Sequence, residues 1–284
     1  MIKIKTFVRA FITLSKRVYL FLLDCLLLPA YVFLNLFKSG KFYENNIVFV
    51  TAAEKNYFNE LISLITSFKE NCKNRIIIYD LGLEPEQRTN LFEKFPDAEV
   101  RNFEFENYPN FIKIYTGNKL GNYAWKPIIV DNLLNELKCK IVWLDAGNMI
   151  NRKIIFLKVA ITARNLIVPT SSNKIKDWTH PRTLEYINLN DKYLSSNNYA
   201  SGLIGFDYKS KKARLVSKEW KRFSLIQECI SPSGSNRSNH RQDQAVLTLL
   251  LYKYIFKNIF IRSTYIKTNF ICGILFHKKK MFDI

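Results

Sequence analysis

From residue 46 onward the chain alternates short apolar runs with stretches of helical period. Ile47 to Thr51 predicts a first strand, closing on Thr51-Ala52-Ala53. Phe58 to Asn71 sets Leu61, Leu64, Ile65 and Phe68 on one face, the spacing of an amphipathic helix. Arg75 to Tyr79 predicts a second strand stopped at Asp80 and Gly82, and Pro85 to Phe95 a helix with proline in its first turn. Ala98 to Phe103 predicts a third strand, while residues 104–122 carry no period and read as loop or short turns. Pro127 to Leu137 predicts a helix that leads into the strand Ile141 to Leu144. Beyond Asn148 the rhythm loosens. Leu166 to Pro169 and Ser201 to Asp207 read as strands, Lys211 to Cys229 and Gln242 to Tyr254 as helices, and Ile259 to Arg262 as a last strand. Such alternation predicts an α/β fold with a mostly parallel, doubly wound sheet flanked by helices.

The run Ile141 to Leu144 carries the most chemical information. It is apolar throughout, as a strand buried on both faces must be, and it ends abruptly in Asp145-Ala146-Gly147-Asn148. A carboxylate is thereby delivered to the carboxyl edge of a sheet, where open α/β folds bind ligands. At such an edge Asp145 can bind a divalent cation bridging a diphosphate, accept a ribose hydroxyl, or only cap the next turn. Gly147 lets the backbone turn sharply or a ligand approach closely. Lys126, at the mouth of the helix beginning with Pro127, is either a solvated lysine or a cation that joins the helix amino terminus in facing a diphosphate. Asp243 opens the helix Gln242 to Tyr254, where an acid in the first turn is favourable without any further role.

Three blocks are Gly121-Asn122-Tyr123-Ala124-Trp125-Lys126-Pro127, Trp143-Leu144-Asp145-Ala146-Gly147-Asn148 and His240-Arg241-Gln242-Asp243-Gln244. Together they resemble the nucleotide-sugar site of GT-A glycosyltransferases, and their pairing resembles a domain of unknown function related to glycosyltransferase family 8. The resemblance runs from residue 46 to about 262. It implies a GT-A, Rossmann-like fold and a transfer of sugar from a nucleotide-sugar donor to a hydroxyl of a glycolipid or cell-surface glycan. By that likeness Asp145, Asp243, Gln244 and Lys126 form the catalytic group. Thr51, Ala52, Tyr57, Asp80, Tyr123, Trp125, Gly147 and Asn148 would bind the donor, and His180, Ser201, Gly202 and His240 the acceptor or sugar. The loop Trp178-Thr179-His180-Pro181 is either an acceptor loop or a packed turn. The family holds Mn²⁺ or Mg²⁺ through an Asp-x-Asp motif and a histidine near the carboxyl end, to which Asp145 and His277 would correspond. This chain has Gly147 where the family has the second Asp. That departure weakens the case for a metal, leaves retention or inversion open, and motivates a second reading as a degenerate binding or scaffold protein on the same fold.

Residues 18–37 are apolar over about the length of a bilayer-crossing helix, and Lys3, Lys5, Arg9, Lys16 and Arg17 precede them with no acid. Asp24 and Pro29 interrupt the stretch, and Lys38 and Lys41 follow it. A spanning anchor, a broken helix entering one leaflet and an interfacial helix all stay open, and each predicts membrane association with the folded domain facing the cytoplasm. The expected organisation is a membrane-associating segment over 1–45, a transferase domain over 46–265 and a basic tail over 266–284. A net charge of +19, scattered from Lys3 to Lys280, favours anionic partners such as acidic lipid headgroups and phosphorylated small molecules. No zinc-finger, basic-zipper or RNA-binding strand pattern accompanies it, so a nucleic-acid partner is not expected. Cys25, Cys72, Cys139, Cys229 and Cys272 show no metal or redox spacing and read as free thiols in a reducing compartment.

Overall fold

The computed structural model describes residues 46–116, 119–150, 155–255 and 274–276. The apolar segment 1–45, the expected strand Ile259 to Arg262, His277 and all of the tail 266–284 except 274–276 lie outside the described residues. Among the described residues no helix is long and apolar enough to cross a membrane.

A six-stranded sheet forms the centre, built from β1 (Ile47–Ala53), β2 (Ile76–Asp80), β3 (Glu99–Asn102), β4 (Lys140–Leu144), β5 (Leu166–Ile167) and β6 (Leu203–Asp207). Their order in space is β3-β2-β1-β4-β6-β5. β1 pairs in parallel with β2 and β4, and β2 with β3, as a doubly wound sheet requires. The expected strand at Ser201 to Asp207 forms as β6 but runs antiparallel to both β4 and β5. The chain leaves β5 at the carboxyl edge and re-enters the sheet from that same edge, so β6 has to run the other way. Its apolar run carries no sign of direction.

Six helices of ten residues or more flank the sheet among the described residues: α1 (Phe58–Asn71), α2 (Pro85–Lys94), α3 (Trp125–Leu137), α4 (Ile155–Arg164), α5 (Lys211–Ser224) and α6 (Gln242–Tyr254). The two-residue alternation of β1 divides its side chains between two cores. Val48, Val50 and Ala52 pack with Ile128 and Ile129 of α3, Trp220 of α5 and Leu250 of α6. Ile47, Phe49 and Ala53 pack with Leu61 and Leu64 of α1, Leu91 of α2 and Ile161 of α4. Trp143 of β4 is fully buried in the first core. Burial of a side chain of that size contributes about 1.5–3 kcal/mol.

Several boundaries move for local reasons. α3 starts at Trp125, two residues ahead of Pro127, because a proline in the first turn removes no intrahelical hydrogen bond. The expected helix Lys211 to Cys229 breaks at Leu225 and Ile226 into α5 and a short helix, Gln227–Ile230. The expected loop 104–122 holds 3-10 turns at Phe105–Asn107 and Asn110–Lys113 and a hairpin of Tyr115–Thr116 with Lys119–Leu120. α4 and the helix Pro181–Ile187 are additions to the expected elements.

Candidate active site

The strand order reverses between β1 and β4: the chain steps from β1 through β2 to β3, then crosses back to β4 on the other side. Loops leaving the two strands diverge at such a point and open a crevice at the carboxyl edge. A cleft of about 310 Å³ lies there. Ala52, Ala53 and Glu54 line it from the end of β1, and Asp145, Ala146 and Gly147 from the end of β4. The first turns of α3 and α6 close the opposite wall with Trp125 and Lys126, and with Gln242, Asp243 and Gln244. Two helix amino termini therefore meet the same space, a favourable setting for an anion.

Lys126 is the centre of the constellation. Its side chain is 3 % exposed, and Nζ lies 2.8 Å from Asp145 Oδ1 and 3.0 Å from Asp243 Oδ2. The Ser201 carbonyl accepts from the same ammonium at 3.5 Å. The rings of Tyr123 and Trp143 flank it at 5.7 and 5.6 Å. Burial alone lowers a lysine pKa, yet the charges of Asp145 and Asp243 outweigh that cost and hold this one above its ordinary value. Asp243, 5 % exposed, has a raised pKa: burial pushes it up most and the Asp145 charge adds to that, while Lys126 opposes both. Asp145 also accepts from Trp143 Nε1 at 2.7 Å, and its side chain remains 42 % exposed on the cleft wall. The lysine predicted to face a diphosphate is thus already neutralised by two carboxylates. It is a buried strut in the cleft wall, held in the first turn of α3.

The approach to α3 is conformationally unusual. Gly121, Asn122 and Tyr123 lie in succession in the left-handed region, with φ of 53°, 49° and 64°. That run brings the Tyr123 ring to the cleft, and Trp125 Nε1 fixes the turn by donating to Leu120 O at 3.0 Å. Gly147 has an ordinary φ, and a Cβ built on it meets nothing within 4 Å. The backbone turns here, with the Asn148 amide donating to Asp145 O at 2.9 Å, but neither φ nor packing requires a glycine. The space beside Asp145 is open.

Of the expected donor and sugar residues, Ala52, Tyr57, Tyr123, Trp125, Gly147 and Ser201 line the cleft beside the four expected catalytic residues. Others are turned to structural work. Asp80 accepts from the Gly82 and Leu83 amides at 2.8 Å each and pairs with Arg88, so it locks the turn after β2. Thr51 is fully buried away from the cleft. Asn148 is 1 % exposed and donates to Gly202 O at 2.7 Å, while the Asp145 amide donates to the same oxygen at 2.9 Å. Asn148 and Gly202 thus clip β4 to the segment before β6 and lie outside the cleft lining. His240 is fully buried between Ile230 O, 2.8 Å from Nε2, and the His180 amide, which donates to Nδ1 at 3.3 Å. His180 caps the helix Pro181–Ile187 by accepting from the Arg182 amide. Both histidines fasten loops, and neither reaches the cleft.

Three charged cleft residues stand outside the expected donor, sugar and catalytic sets: Glu54, Arg237 and Arg241. Glu54 is 5 % exposed and accepts from the Asn56 amide and the Tyr115 hydroxyl, at 2.9 and 3.3 Å. The Arg241 guanidinium lies 4.1 Å over the Trp178 ring, and burial, reinforced by Arg237, pulls its pKa below the ordinary value. Arg241 Nε and Gln244 Nε2 are buried N–H donors with no hydrogen-bond partner among the described residues. The basic, serine- and asparagine-rich stretch Ser235 to Arg241 was the available sequence signal for this pair of arginines. As for a metal, no group of three or more His, Cys, Asp or Glu side chains converges among the described residues.

Residues 25–131 match a family model described as a protein of unknown function, DUF1647. No curated protein matches the chain. Among solved structures, the chain is similar to the apo form of the bifunctional glycosyltransferase WbbM, with a TM-score of 0.50 and 15 % identity over 75 % of this chain. It spans 38 % of the length of that protein. It is also similar to the galactosyltransferase LgtC in complex with donor and acceptor sugar analogues (TM-score 0.45, 14 % identity, 80 % of this chain and 85 % of that one). A third similar structure is core-mannan synthase A from Aspergillus fumigatus in its Mn/GDP form (TM-score 0.48, 11 % identity, 72 % of this chain and 69 % of that one). The likeness to WbbM, joined to the switch-point sheet, makes the fold of this chain the GT-A fold of glycosyltransferases.

Proposed function

We propose that the chain is a membrane-associated glycosyltransferase that moves a sugar from a nucleotide-sugar donor to a hydroxyl of a glycolipid or cell-surface glycan. The observation that carries this reading is the pair of orphan donors, Arg241 Nε and Gln244 Nε2, lining the same switch-point cleft as the half-exposed Asp145 carboxylate. Buried N–H groups without partners cost free energy unless a ligand supplies acceptors, and a diphosphate with sugar hydroxyls is rich in them. In this scheme Arg237, Arg241 and the first-turn amides of α6 offset the charge developing on the departing nucleoside diphosphate. Asp145 accepts from a hydroxyl of the sugar or ribose, and the Tyr57 and Tyr123 rings border the donor. Asp243 and Lys126 hold Asp145 in place.

A second reading, a binding or scaffold protein on the same fold, is favoured by the saturation of Lys126 between two carboxylates and by Gly147 in place of a second acid. One experiment separates the two. The full chain in detergent is screened for binding and hydrolysis of UDP-, GDP-, CMP- and dTDP-sugars, beside Asp145→Ala. The transferase reading expects slow hydrolysis of one donor that falls by roughly 10²-fold or more in the variant. Saturable binding without turnover with any acceptor selects the scaffold. A folded protein that binds none of the donors refutes both.

Membrane association draws support from α5, where Lys211, Lys212 and Lys218 are exposed and Leu215, 40 % exposed, sits among them. Each basic residue near an anionic surface contributes about 1 kcal/mol. The full chain is expected to float with phosphatidylglycerol-containing vesicles and to lose much of that binding in Lys211→Glu/Lys218→Glu. Unchanged flotation of the variant would show that α5 is not the contact.

A further inference from the structure

The relation between Lys126 and its two carboxylates bears on the metal that the GT-A likeness implies. A divalent cation in such a site needs several oxygen or imidazole ligands around one point, at about 2.0–2.6 Å. Among the described residues no third His, Cys, Asp or Glu joins Asp145 and Asp243 in a cluster, and the point those two share is taken by the Lys126 ammonium at 2.8 and 3.0 Å. The side chain arrives on the first turn of a regular 13-residue helix and is 3 % exposed, between the Tyr123 and Trp143 rings and against the Ser201 carbonyl. It cannot swing out without emptying a packed site. A third acid is also missing where the backbone would best accept one, since Gly147 has room for a side chain and an ordinary φ. The donor set of the described residues, with its shared point already filled by an ammonium, does not fit a divalent ion.

We propose that Lys126 is a built-in cation: its ammonium takes the place of a divalent ion between Asp145 and Asp243, so that the cleft binds a nucleoside diphosphate without metal. The phosphate charge is then met by Arg237 and Arg241, the two arginines of the cleft wall. The arrangement is economical in charge. A divalent ion added to the site would have to displace an ammonium held by two carboxylates, and one added elsewhere finds no cluster of ligands among the described residues. This inference rests on the nucleotide-sugar reading for its ligand, but its claim about the cation site stands apart from it.

The test uses the full chain in detergent and two independent readouts. The first is titration with Mn²⁺ followed by the paramagnetic resonance signal of the unbound ion. Wild type is expected to leave that signal intact at concentrations up to ~1 mM, corresponding to binding weaker than about 4 kcal/mol. Lys126→Ala leaves two carboxylates with no counter-ion, and it is expected to gain Mn²⁺ binding by at least tenfold. Should that variant fail to fold, the wild-type titration alone still decides. Stoichiometric binding by wild type that is lost in Asp145→Asn or in His277→Ala would overturn the proposal. The second readout is calorimetric binding of UDP and GDP, with EDTA or with Mn²⁺. Equal affinity in both buffers, within about threefold, supports the built-in cation, and binding seen only with Mn²⁺ overturns it. If neither nucleotide binds in either buffer, the nucleotide-sugar reading fails, while the Mn²⁺ titration continues to decide what occupies the carboxylate pair.

Discussion

Lys126→Met is expected to destabilise the protein by about 3 kcal/mol near neutral pH, a fall in Tm of roughly 10 °C. Methionine fills nearly the same volume, so packing changes little and the loss is electrostatic. The two carboxylates do not suffer equally. Asp145, 42 % exposed, regains water and keeps its bond from Trp143 Nε1, so its share is discounted. Asp243, 5 % exposed, is stranded with its charge and sets the magnitude.

The pH dependence follows from the signs of the shifts. Lys126 has a folded-state pKa above the ordinary 10.5, so its contribution is fully present below that value and is lost as pH climbs through the folded-state value. Wild type is therefore expected to weaken in strong alkali as the ammonium loses its proton. Asp243 behaves oppositely to a usual carboxylate: its pKa is raised above 3.8, so the folded state binds its proton more readily than the unfolded chain does, and stability falls as pH rises through that window. Removing Lys126 removes the largest influence that lowers the Asp243 pKa and widens the window. The deficit of Lys126→Met should thus be greater at neutral than at acidic pH, because acid lets Asp243 take up a proton. Urea unfolding of both proteins at neutral and at acidic pH reads this directly. A deficit independent of pH would mean that Lys126 acts through packing. Adding Asp243→Asn to Lys126→Met should recover part of the loss, because the stranded charge goes with it.

The same cluster shows where sequence was informative. Asp145 was legible because an apolar run long enough for a buried strand stopped at an acid, and chain chemistry allows few places for that other than a sheet edge. The Asp243 helix was legible from its length and the polar residues opening it, and its observed bounds, Gln242–Tyr254, coincide with the expected ones. The ion pairs joining Lys126, Asp145 and Asp243 were not legible, since nothing in three separated blocks fixes side-chain direction. Lys126 does lie in the first turn of α3 and does line the cleft, but its pairing with two carboxylates was invisible. Asp80, Asn148 and His240 read as ligand groups because their residue types suit that chemistry. The same types also satisfy buried amides and carbonyls, and in this fold those demands claimed them first. Strand direction was hidden for β6 because alternation in a strand reports burial and carries no sense of direction. α4 was missed because the polar Asn151-Arg152-Lys153 stretch after Asp145-Ala146-Gly147-Asn148 reads as loop and masks the onset of its period.

Gly121→Ala is expected to cost more than about 3 kcal/mol and to remove ligand binding from whatever fraction still folds. Two separate penalties act at this position. With φ of 53° the backbone is left-handed, which costs an alanine about 1–2 kcal/mol. The larger penalty is steric. A Cβ on residue 121 falls 2.0 Å from the Ile112 carbonyl oxygen and 2.7 and 2.8 Å from its carbon and Cα. Those are backbone atoms of a fully buried residue, with no side chain to swing aside. Either the turn Asn110–Lys113 moves or the left-handed run does, and the run carries Tyr123 to the cleft and sets the start of α3. Displacing it misplaces Lys126 relative to both carboxylates. Gly234→Ala is the matched control: φ is 78°, but an added Cβ meets nothing within 4 Å, so only the conformational cost of about 1 kcal/mol applies. Urea midpoints for the two variants, read beside nucleotide binding, separate the effects. A Gly121→Ala protein no less stable than Gly234→Ala would show that the Ile112 turn yields easily and that the approach to α3 does not hold the site in place. A protein that keeps most of its stability but loses binding would locate the damage in the left-handed run itself, and make residues 121–123 the device that positions the cleft.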